Sequence, residues 1–355
     1  MSRIALSRTG HRYGPAGAYA LEPFDFEFDE ACSYALLGPS GCGKTTMLNI
    51  ISGLVRPSEG KVLIRGQDVT DVPTAGRNIA QVFQFPVVYQ SKTVYENLAF
   101  PLVCRGWPRD RIRLRVEEIS NLLGLDESLG RRAVGLTADA KQLISLGRGL
   151  VRDDVVALLL DEPLTVIDPQ LKTHLRRKLK EIIGRSKLTV IYVTHDQNEA
   201  MTFAQQVVVM SAGRIVQRGT PEELFEMPGT TYVGYFIGSP AMNLFDAAVS
   251  EGGLRIAGAT VPVPPEWLAT APEGAFQVGI RPEYVSFADA SDPLAIPTRV
   301  LGIEDHGSVR VLDVEIGNAR AKMKVDRETS VPEGPAALAF APGKLRVFVD
   351  DRLVA

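Results

Sequence analysis

The sequence of 355 residues predicts an α/β core followed by a smaller all-β domain, and three observations support this prediction. A glycine-rich loop at residues 38–45 lies between an apolar run and a helical pattern. A second apolar run at residues 158–160 ends in Asp161 and Glu162, as is typical of a buried parallel strand. From about residue 239, short strand-like segments separated by Pro and Gly dominate. We therefore predict domains at residues 1–238 and 239–355.

The composition excludes several classes of protein. A net charge of −3 gives no electrostatic argument for nucleic-acid binding. The three cysteines lack C-x-x-C spacing, which indicates a reducing compartment and no zinc site. No stretch approaches the ~20 apolar residues that span a bilayer, and the N-terminus lacks the apolar core of a signal peptide. We expect a soluble, cytoplasmic chain that reaches any membrane through partner chains.

The glycine-rich loop fits the phosphate-binding pattern G-x-x-x-x-G-K-[ST] at every fixed position. Its backbone N–H groups and the following helix N-terminus can surround an anion, so a chance glycine-rich turn is a poor alternative. Lys44 is expected to reach the β- and γ-phosphates, and the Thr45 hydroxyl is expected to ligate Mg²⁺. The nucleotide-binding residues predicted here are Gly38, Pro39, Ser40, Gly41, Cys42, Gly43, Lys44, Thr45 and Thr46.

Five further residues are candidates for the chemistry. Asp161 is placed to hold Mg²⁺, and Glu162 to orient or activate the attacking water. Gln84, the last residue of a predicted strand, is a candidate sensor of the γ-phosphate or Mg²⁺. His195 follows another strand and can donate to the γ-phosphate. Tyr13 can stack on adenine. From the residues alone, a packing role for Tyr13 and a structural role for His195 remain open.

Hydrophobic patterns predict the remaining elements. A helical insertion at about residues 85–152 includes an amphipathic helix that buries Ile112, Val116, Ile119 and Leu123. The C-terminal segment predicts a partly closed, OB-like barrel. The predicted strands cover residues 3–8, 19–28, 34–37, 61–66, 79–84, 188–193, 207–210, 214–217, 275–280, 298–301, 309–316, 321–325 and 345–349.

These pieces in this order resemble the ATP-binding cassette subunit of an ABC transporter, in the maltose and polyol importer branch with a C-terminal regulatory β-domain. The resemblance rests on Tyr13, the phosphate loop, Gln84, residues 158–162, the Asp168 loop and His195, with residues 219–223, 238–243 and 279–283. It implies ATP and Mg²⁺ as cofactors, adenine stacking by Tyr13, a sensor role for Gln84 with Asp161 and Thr45 at the metal, and a γ-phosphate switch at His195.

The resemblance also implies the working unit. Two cassettes face each other head to tail, and each ATP lies between one phosphate loop and the signature segment of the other chain. Closure on ATP drives two membrane-spanning permease subunits, which a periplasmic binding protein supplies with cargo. The chain would then sit peripherally on the cytoplasmic face of the inner membrane, with residues 85–106 against a short helix of the permease.

The signature segment departs from its usual form, Leu-Ser-Gly-Gly-Gln. Here it consists of Leu136, Thr137, Ala138, Asp139 and Ala140. Asp139 puts a carboxylate where a glycine N–H should approach the γ-phosphate, unless it turns outward and only stabilises its helix. Two like charges ~4 Å apart cost about 1 kcal/mol in water and roughly 4 kcal/mol at an effective dielectric of about 20.

The altered segment faces the ATP of the opposite chain. We therefore predict a heterodimer with a second, non-identical cassette and, by analogy within the branch, a small polyol of the glycerol type as cargo. Two alternatives remain: a homodimeric sugar importer that tolerates Asp139, and a nucleotide-dependent regulatory protein with little hydrolysis.

Overall fold

The computed structural model describes residues 2–14, 17–153, 155–165, 167–185, 188–251, 253–264, 268, 272, 274–341 and 343–354. Contacts divide the chain into two compact units, residues 1–221 and 222–355. The predicted boundary at residues 238 and 239 stays a prediction, because grouping by contact does not test where an independently folding domain ends.

The first unit contains ten strands and six α-helices among its described residues. The strands are β1 (Ser2–Arg12), β2 (Tyr19–Asp29), β3 (Ser33–Leu37), β4 (Glu59–Ile64), β5 (Gln67–Asp68), β6 (Ile79–Val82), β7 (Ala157–Asp161), β8 (Thr189–Thr194), β9 (Gln206–Ser211) and β10 (Arg214–Gly219). The helices are α1 (Lys44–Ser52), α2 (Val94–Val103), α3 (Arg109–Leu123), α4 (Ala138–Leu150), α5 (Pro169–Arg185) and α6 (Gln197–Phe203).

Two sheets organise this unit. An antiparallel sheet has the order β2-β1-β4-β5, and a second sheet has the order β10-β9-β3-β8-β7-β6. In the second sheet all pairs are parallel except β9 with β10. Every residue of β3, β7 and β8 is buried, which explains why these segments are almost continuously apolar. Their carboxyl ends meet at one edge of the sheet.

The predicted helical insertion is confirmed for α2, α3 and α4, and α3 buries Ile112, Val116, Ile119 and Leu123 as expected. The predicted strand at residues 79–84 is too long. Its pairing with β7 stops at Val82, opposite Leu160, so Gln84 lies in the following loop.

The second unit is mostly β-structure. After α7 (Pro221–Glu226), which begins at the boundary, and α8 (Thr231–Phe236), its described strands are β11 (Asn243–Ser250), β12 (Gly253–Ile256), β13 (Ala259–Val261), β14 (Phe276–Ile280), β15 (Val285–Ala288), β16 (Ile296–Asp305), β17 (Val309–Ile316), β18 (Ala319–Asp326), β19 (Pro335–Phe340), β20 (Arg346–Val349) and β21 (Arg352–Leu353). They form antiparallel sheets in the orders β13-β12-β11-β14-β20-β21 and β15-β19-β16-β17-β18 around one apolar core.

A buried arginine attaches the two short helices of the second unit to its β-structure. Arg281, only 1% exposed, follows β14 and stacks on the ring of Phe225. Its guanidinium donates to the carbonyl oxygens of Phe225 and Gly234 at 2.8–3.0 Å and to that of Ile237. Burial lowers the pKa of Arg281 to about 10, so the side chain stays charged at neutral pH.

We expect Arg281→Met to lower the free energy of unfolding of the second unit by about 3 kcal/mol or more, because three buried carbonyl groups lose their donor. Urea denaturation followed by circular dichroism measures the loss. Arg255→Met, on an exposed position of β12, is the control and should change the value by less than about 0.5 kcal/mol. Equal losses in the two variants would contradict the role of Arg281.

Candidate functional site

The phosphate loop joins β3 to α1 at the shared carboxyl edge of the parallel strands. Gly43 precedes α1 with φ of +101°, and a Cβ there would lie 2.5 Å from the Ala20 carbonyl oxygen. Only glycine fits this backbone and this approach. The loop therefore brings its N–H groups and the N-terminus of α1 to one point, which is an anion-binding arrangement.

Lys44 crosses this loop as a buried cation. It is 6% exposed, and its Nζ donates to the carbonyl oxygens of Gly38 at 2.6 Å and Pro39 at 2.9 Å. Cys42 Sγ lies 3.7 Å from the same nitrogen. Neutral acceptors thus hold the ammonium group over the loop. No carboxylate of the described residues forms an ion pair with it, although its charge is near enough to favour ionised Asp161.

Asp161 ends β7 beside the start of α1. The Thr45 hydroxyl donates to its Oδ1 at 3.2 Å, and the residue is 6% exposed. Burial raises the pKa of Asp161, the Thr45 hydrogen bond opposes the shift, and the neighbouring charge of Glu162 adds to it. The carboxylate therefore lies where a cation would stabilise its charged form.

Three side chains, two of them from distant parts of the sequence, converge on one oxygen of Glu162. Its Oε2 lies 3.1 Å from His195 Nδ1 and accepts hydrogen bonds from Gln84 Nε2 at 3.4 Å and Thr165 Oγ1 at 3.3 Å. Glu162 has φ of +44°, an uncommon value for a residue with a Cβ. Its backbone N–H donates to the Val193 carbonyl oxygen at 3.0 Å, which holds it against β8.

Tyr13 borders the same cleft from the other side of the loop. Its ring is 61% exposed, its hydroxyl lies 3.1 Å from Thr46 Oγ1, and it meets the His11 ring edge to face at 4.6 Å. The cleft has a volume of about 640 Å³. The described residues that line it are Tyr13, Ala20, Ser40, Gly41, Gly43, Lys44, Thr45, Thr46, Gln84, Glu162, Thr165 and His195.

The signature segment lies at the start of α4 and does not line this cleft. Thr137 caps the helix by accepting the Ala140 N–H at 3.3 Å, with Leu136 before it and Ala138 as the first helical residue. Asp139 follows in the first turn and is half-buried. Across the described part of the chain, no side chain or backbone group hydrogen-bonds to its carboxylate.

Two contacts of the site were not predicted. Thr165 supplies a donor to Glu162, as described above. Gln142, fully buried in α4, donates its Nε2 to the carbonyl oxygens of Phe83 at 3.2 Å and Pro163 at 2.9 Å. It thereby ties α4 to the segments that carry Gln84 and Glu162. The sequence signals no such contact, since its partners are backbone groups 59 and 21 residues away.

A phosphate loop at the edge of a parallel sheet, a buried lysine, and a carboxylate with a hydroxyl beside it define a P-loop nucleotide-binding protein. A model of the ABC transporter family matches residues 21–165, and a model of the MalK OB fold domain matches residues 238–285. The chain is 36% identical over 353 residues to an sn-glycerol-3-phosphate import ATP-binding protein, UgpC, of Jannaschia sp. strain CCS1, with 99% of each chain covered.

Two further comparisons agree. A trehalose/maltose import ATP-binding protein, MalK, of Thermococcus litoralis is 38% identical over 352 residues, which cover 93% of this chain and 92% of that one. A dimeric ATP-binding cassette in a post-hydrolysis state, bound to ADP and phosphate, superposes with a TM-score of 0.56 and 25% identity over 61% of this chain and 98% of that chain.

The chain belongs to the ABC transporter family, and it is an ATP-binding subunit whose ATPase activity is coupled to transport. Its second unit belongs to the OB-fold type of MalK. Among the described residues, no helix combines the length and the apolar character needed to cross a membrane.

We expect Asp161→Asn to leave the free energy of unfolding of the nucleotide-free chain at pH 7 unchanged or higher. The native site raises the pKa of Asp161, so it disfavours the charge that the substitution removes. Thr45 can still donate to the amide oxygen. Urea denaturation without nucleotide measures the effect.

Asp29→Asn is the matched control. Hydrogen bonds from Tyr34 and Arg218, both at 2.6 Å, lower the pKa of Asp29, so its charge is favoured in the folded chain. This variant should lower the free energy of unfolding. An equal loss for Asp161→Asn would contradict the electrostatic interpretation.

Proposed function

We propose that this cleft hydrolyses ATP with Mg²⁺ and that Glu162 is the general base. The observation that carries the proposal is the convergence of His195 and Gln84 on Glu162 Oε2, at 3.1 and 3.4 Å, at the mouth of the phosphate loop. A base must lie within hydrogen-bonding reach of the proton that it accepts. Glu162 lines the cleft, so a water in front of the γ-phosphate could donate to it.

The other groups take roles that fit their chemistry. Lys44 would exchange its carbonyl acceptors for phosphate oxygens, which are stronger partners for an ammonium group. His195, 57% exposed, would donate to the γ-phosphate while its Nδ1 stays near Glu162. Tyr13 would stack on adenine. These groups hold and orient the reactants and leave proton acceptance to Glu162.

The donor set also fits Mg²⁺. Thr45 Oγ1 and Asp161 Oδ1 are hard oxygen ligands 3.2 Å apart, and Gln84 can add an amide oxygen, directly or through water. Bound there, the ion would neutralise charge that develops on the phosphates. The raised pKa of Asp161 supports this assignment, because the carboxylate is poorly compensated by the protein alone.

We expect Glu162→Gln to lower kcat for ATP hydrolysis by about 100-fold or more, since a general base contributes 10²–10⁴-fold, while ATP binding persists. Steady-state hydrolysis and equilibrium binding of a fluorescent ATP analogue separate the two effects. Glu127→Gln, an exposed position, is the control and should keep the full rate. Near-normal hydrolysis by Glu162→Gln would refute its role, and loss of binding would show that the variant fails for another reason.

We further propose that the ATPase drives import through two permease subunits at the cytoplasmic face of the inner membrane, with a periplasmic binding protein upstream. A groove of about 200 Å³ in the first unit supports a protein contact, with Phe83, Val87, Pro101 and Arg148 in its lining. Phe85, two residues after Phe83, is 71% exposed, so its ring adds apolar surface that a partner protein could cover.

For the cargo we propose a small carbohydrate or polyol, with a glycerol-type compound preferred. This proposal follows from two similar proteins, one named for the import of sn-glycerol-3-phosphate and the other for the import of trehalose and maltose. In this proposal the partner chains bind the cargo, so the described residues of this chain do not identify it further.

The final part of the proposal concerns pairing. Asp139 lies half-buried in the first turn of α4. Among the described residues, no hydrogen bond from a neighbouring group stabilises its charge. Opposite another cassette it would lower the affinity of the facing site for the γ-phosphate. We therefore infer a heterodimer with a second cassette, in which this chain holds the competent ATP. A homodimer is the alternative.

We expect Asp139→Asn to tighten ATP binding at the facing site about tenfold, since relief of ~1.4 kcal/mol of repulsion corresponds to that factor. Hydrolysis at the competent site should stay unchanged. The measurement uses the complex purified from its membrane through a tag on this chain. Asp110→Asn is the matched control, because Asp110 occupies the same first-turn position in α3. An equal response of the two variants would refute the role of Asp139.

Mass spectrometry of the same complex tests the pairing. A second cassette in equal amount supports the heterodimer. Two copies of this chain alone would refute it and would place Asp139 opposite both ATP molecules.

A further inference from the structure

A buried carboxylate lies behind His195, outside the cleft. Glu199, in the first turn of α6, is 3% exposed. Its Oε2 accepts hydrogen bonds from the hydroxyl groups of Thr194 at 2.7 Å and Tyr192 at 2.9 Å. Its Oε1 lies 2.5 Å from Nζ of Lys172. The carboxylate is therefore held by two hydroxyl donors at one oxygen and by an ion pair at the other.

This network holds the backbone on both sides of His195. Thr194 binds Glu199 and also accepts the Asp196 N–H at 3.0 Å. Asp196 in turn accepts the Glu199 N–H at 3.2 Å as the cap of α6. The residues before and after His195 thus belong to one closed set of hydrogen bonds, while the His195 side chain is 57% exposed. A fixed backbone below an exposed imidazole can orient that imidazole toward a ligand.

Lys172 extends this network to a different loop. Lys172 lies in the first turn of α5, and its backbone N–H donates to the Asp168 carbonyl oxygen at 2.8 Å. Its Nζ pairs with Glu199 and lies 4.0 Å from Asp196 Oδ2. A shift of the Asp168 loop would therefore reach the His195 segment through one ion pair. Such a pair is costly to break, because it would leave the carboxylate of Glu199 buried and unpaired.

We propose that Glu199 and Lys172 are positioning residues that fix His195 and couple it to the Asp168 loop. The inference rests on the function proposed above for His195, and it adds two residues that do not line the cleft. A purely structural bond between the same two helices exists for comparison. Lys180, also on α5, donates to the Thr202 carbonyl oxygen near the end of α6 at 2.8 Å, away from His195.

The experiment measures ATP hydrolysis by the complex purified through a tag on this chain. We expect Lys172→Met to lower kcat about tenfold and to leave KM for ATP within about twofold, because only the placement of His195 changes. Lys180→Met should change neither constant. Thermal unfolding of both variants reports any loss of structure. If Lys172→Met keeps the full kcat, or loses no more than Lys180→Met, the coupling is refuted.

A second variant keeps the test decisive if Lys172→Met unfolds. Glu199→Gln combined with Lys172→Met removes both charges, so no buried charge is left alone, and the amide oxygen can still accept from Thr194. We expect this chain to fold, to bind a fluorescent ATP analogue as the wild type does, and to show the same loss of kcat. Full activity of the double variant would overturn the proposal.

A cycle with His195→Ala shows whether the residues act through His195. If they do, Lys172→Met causes no further loss in the His195→Ala chain. Losses that multiply would overturn the inference and leave the proposed function intact. A His195→Ala chain with full activity would refute the role of His195 itself, and the coupling with it.

Discussion

The parallel pairing of β3, β7 and β8 is the constraint on which the site depends. In this register Leu37 lies opposite Thr194, and Asp161 lies opposite Val193. The chain segments that follow these strands therefore leave the sheet at one level, which brings the phosphate loop, Glu162 and His195 together. A slip of one residue in any of the three strands would turn its side chains to the other face and separate these groups.

Two buried carboxylates at this edge are compensated in opposite ways. Glu199 has two hydroxyl donors and a lysine within 2.9 Å, so the protein itself satisfies its charge. Asp161 has one hydroxyl at 3.2 Å and a raised pKa. An undercompensated carboxylate lowers stability, and such positions concentrate at functional sites. The contrast agrees with the role proposed for Asp161 as a ligand of Mg²⁺ and with a structural role for Glu199.

The sequence could predict what contiguous residues determine. The phosphate loop, the acidic end of β7 and the buried face of α3 each follow from a local pattern. Functional roles for Gln84 and His195 could be predicted firmly only from the resemblance, because their approach to Glu162 is set by strand pairing across tens of residues. Gln142 and Glu199 were not predicted. The partners of Gln142 are distant backbone groups, and the hydroxyl groups and the lysine around Glu199 form no recognisable sequence pattern. The short strands β5, β12, β13 and β21 have two to four residues each, which is too few to show alternation.

The position of Asp139 agrees with the proposal that one catalytic site stays intact while the facing site is impaired. Asp139 lies at the N-terminal tip of α4, but the body of this helix is packed. A Cβ on Gly147 would lie 2.5 Å from Leu98 Cδ2. Buried Gln142 binds the carbonyl groups of Phe83, next to Gln84, and Pro163, next to Glu162. A change at the tip alters what α4 presents outward and leaves these inward contacts in place. In the proposed pair, its electrostatic effect would therefore fall on the phosphate that faces the tip, and the chain would keep the geometry of its own cleft.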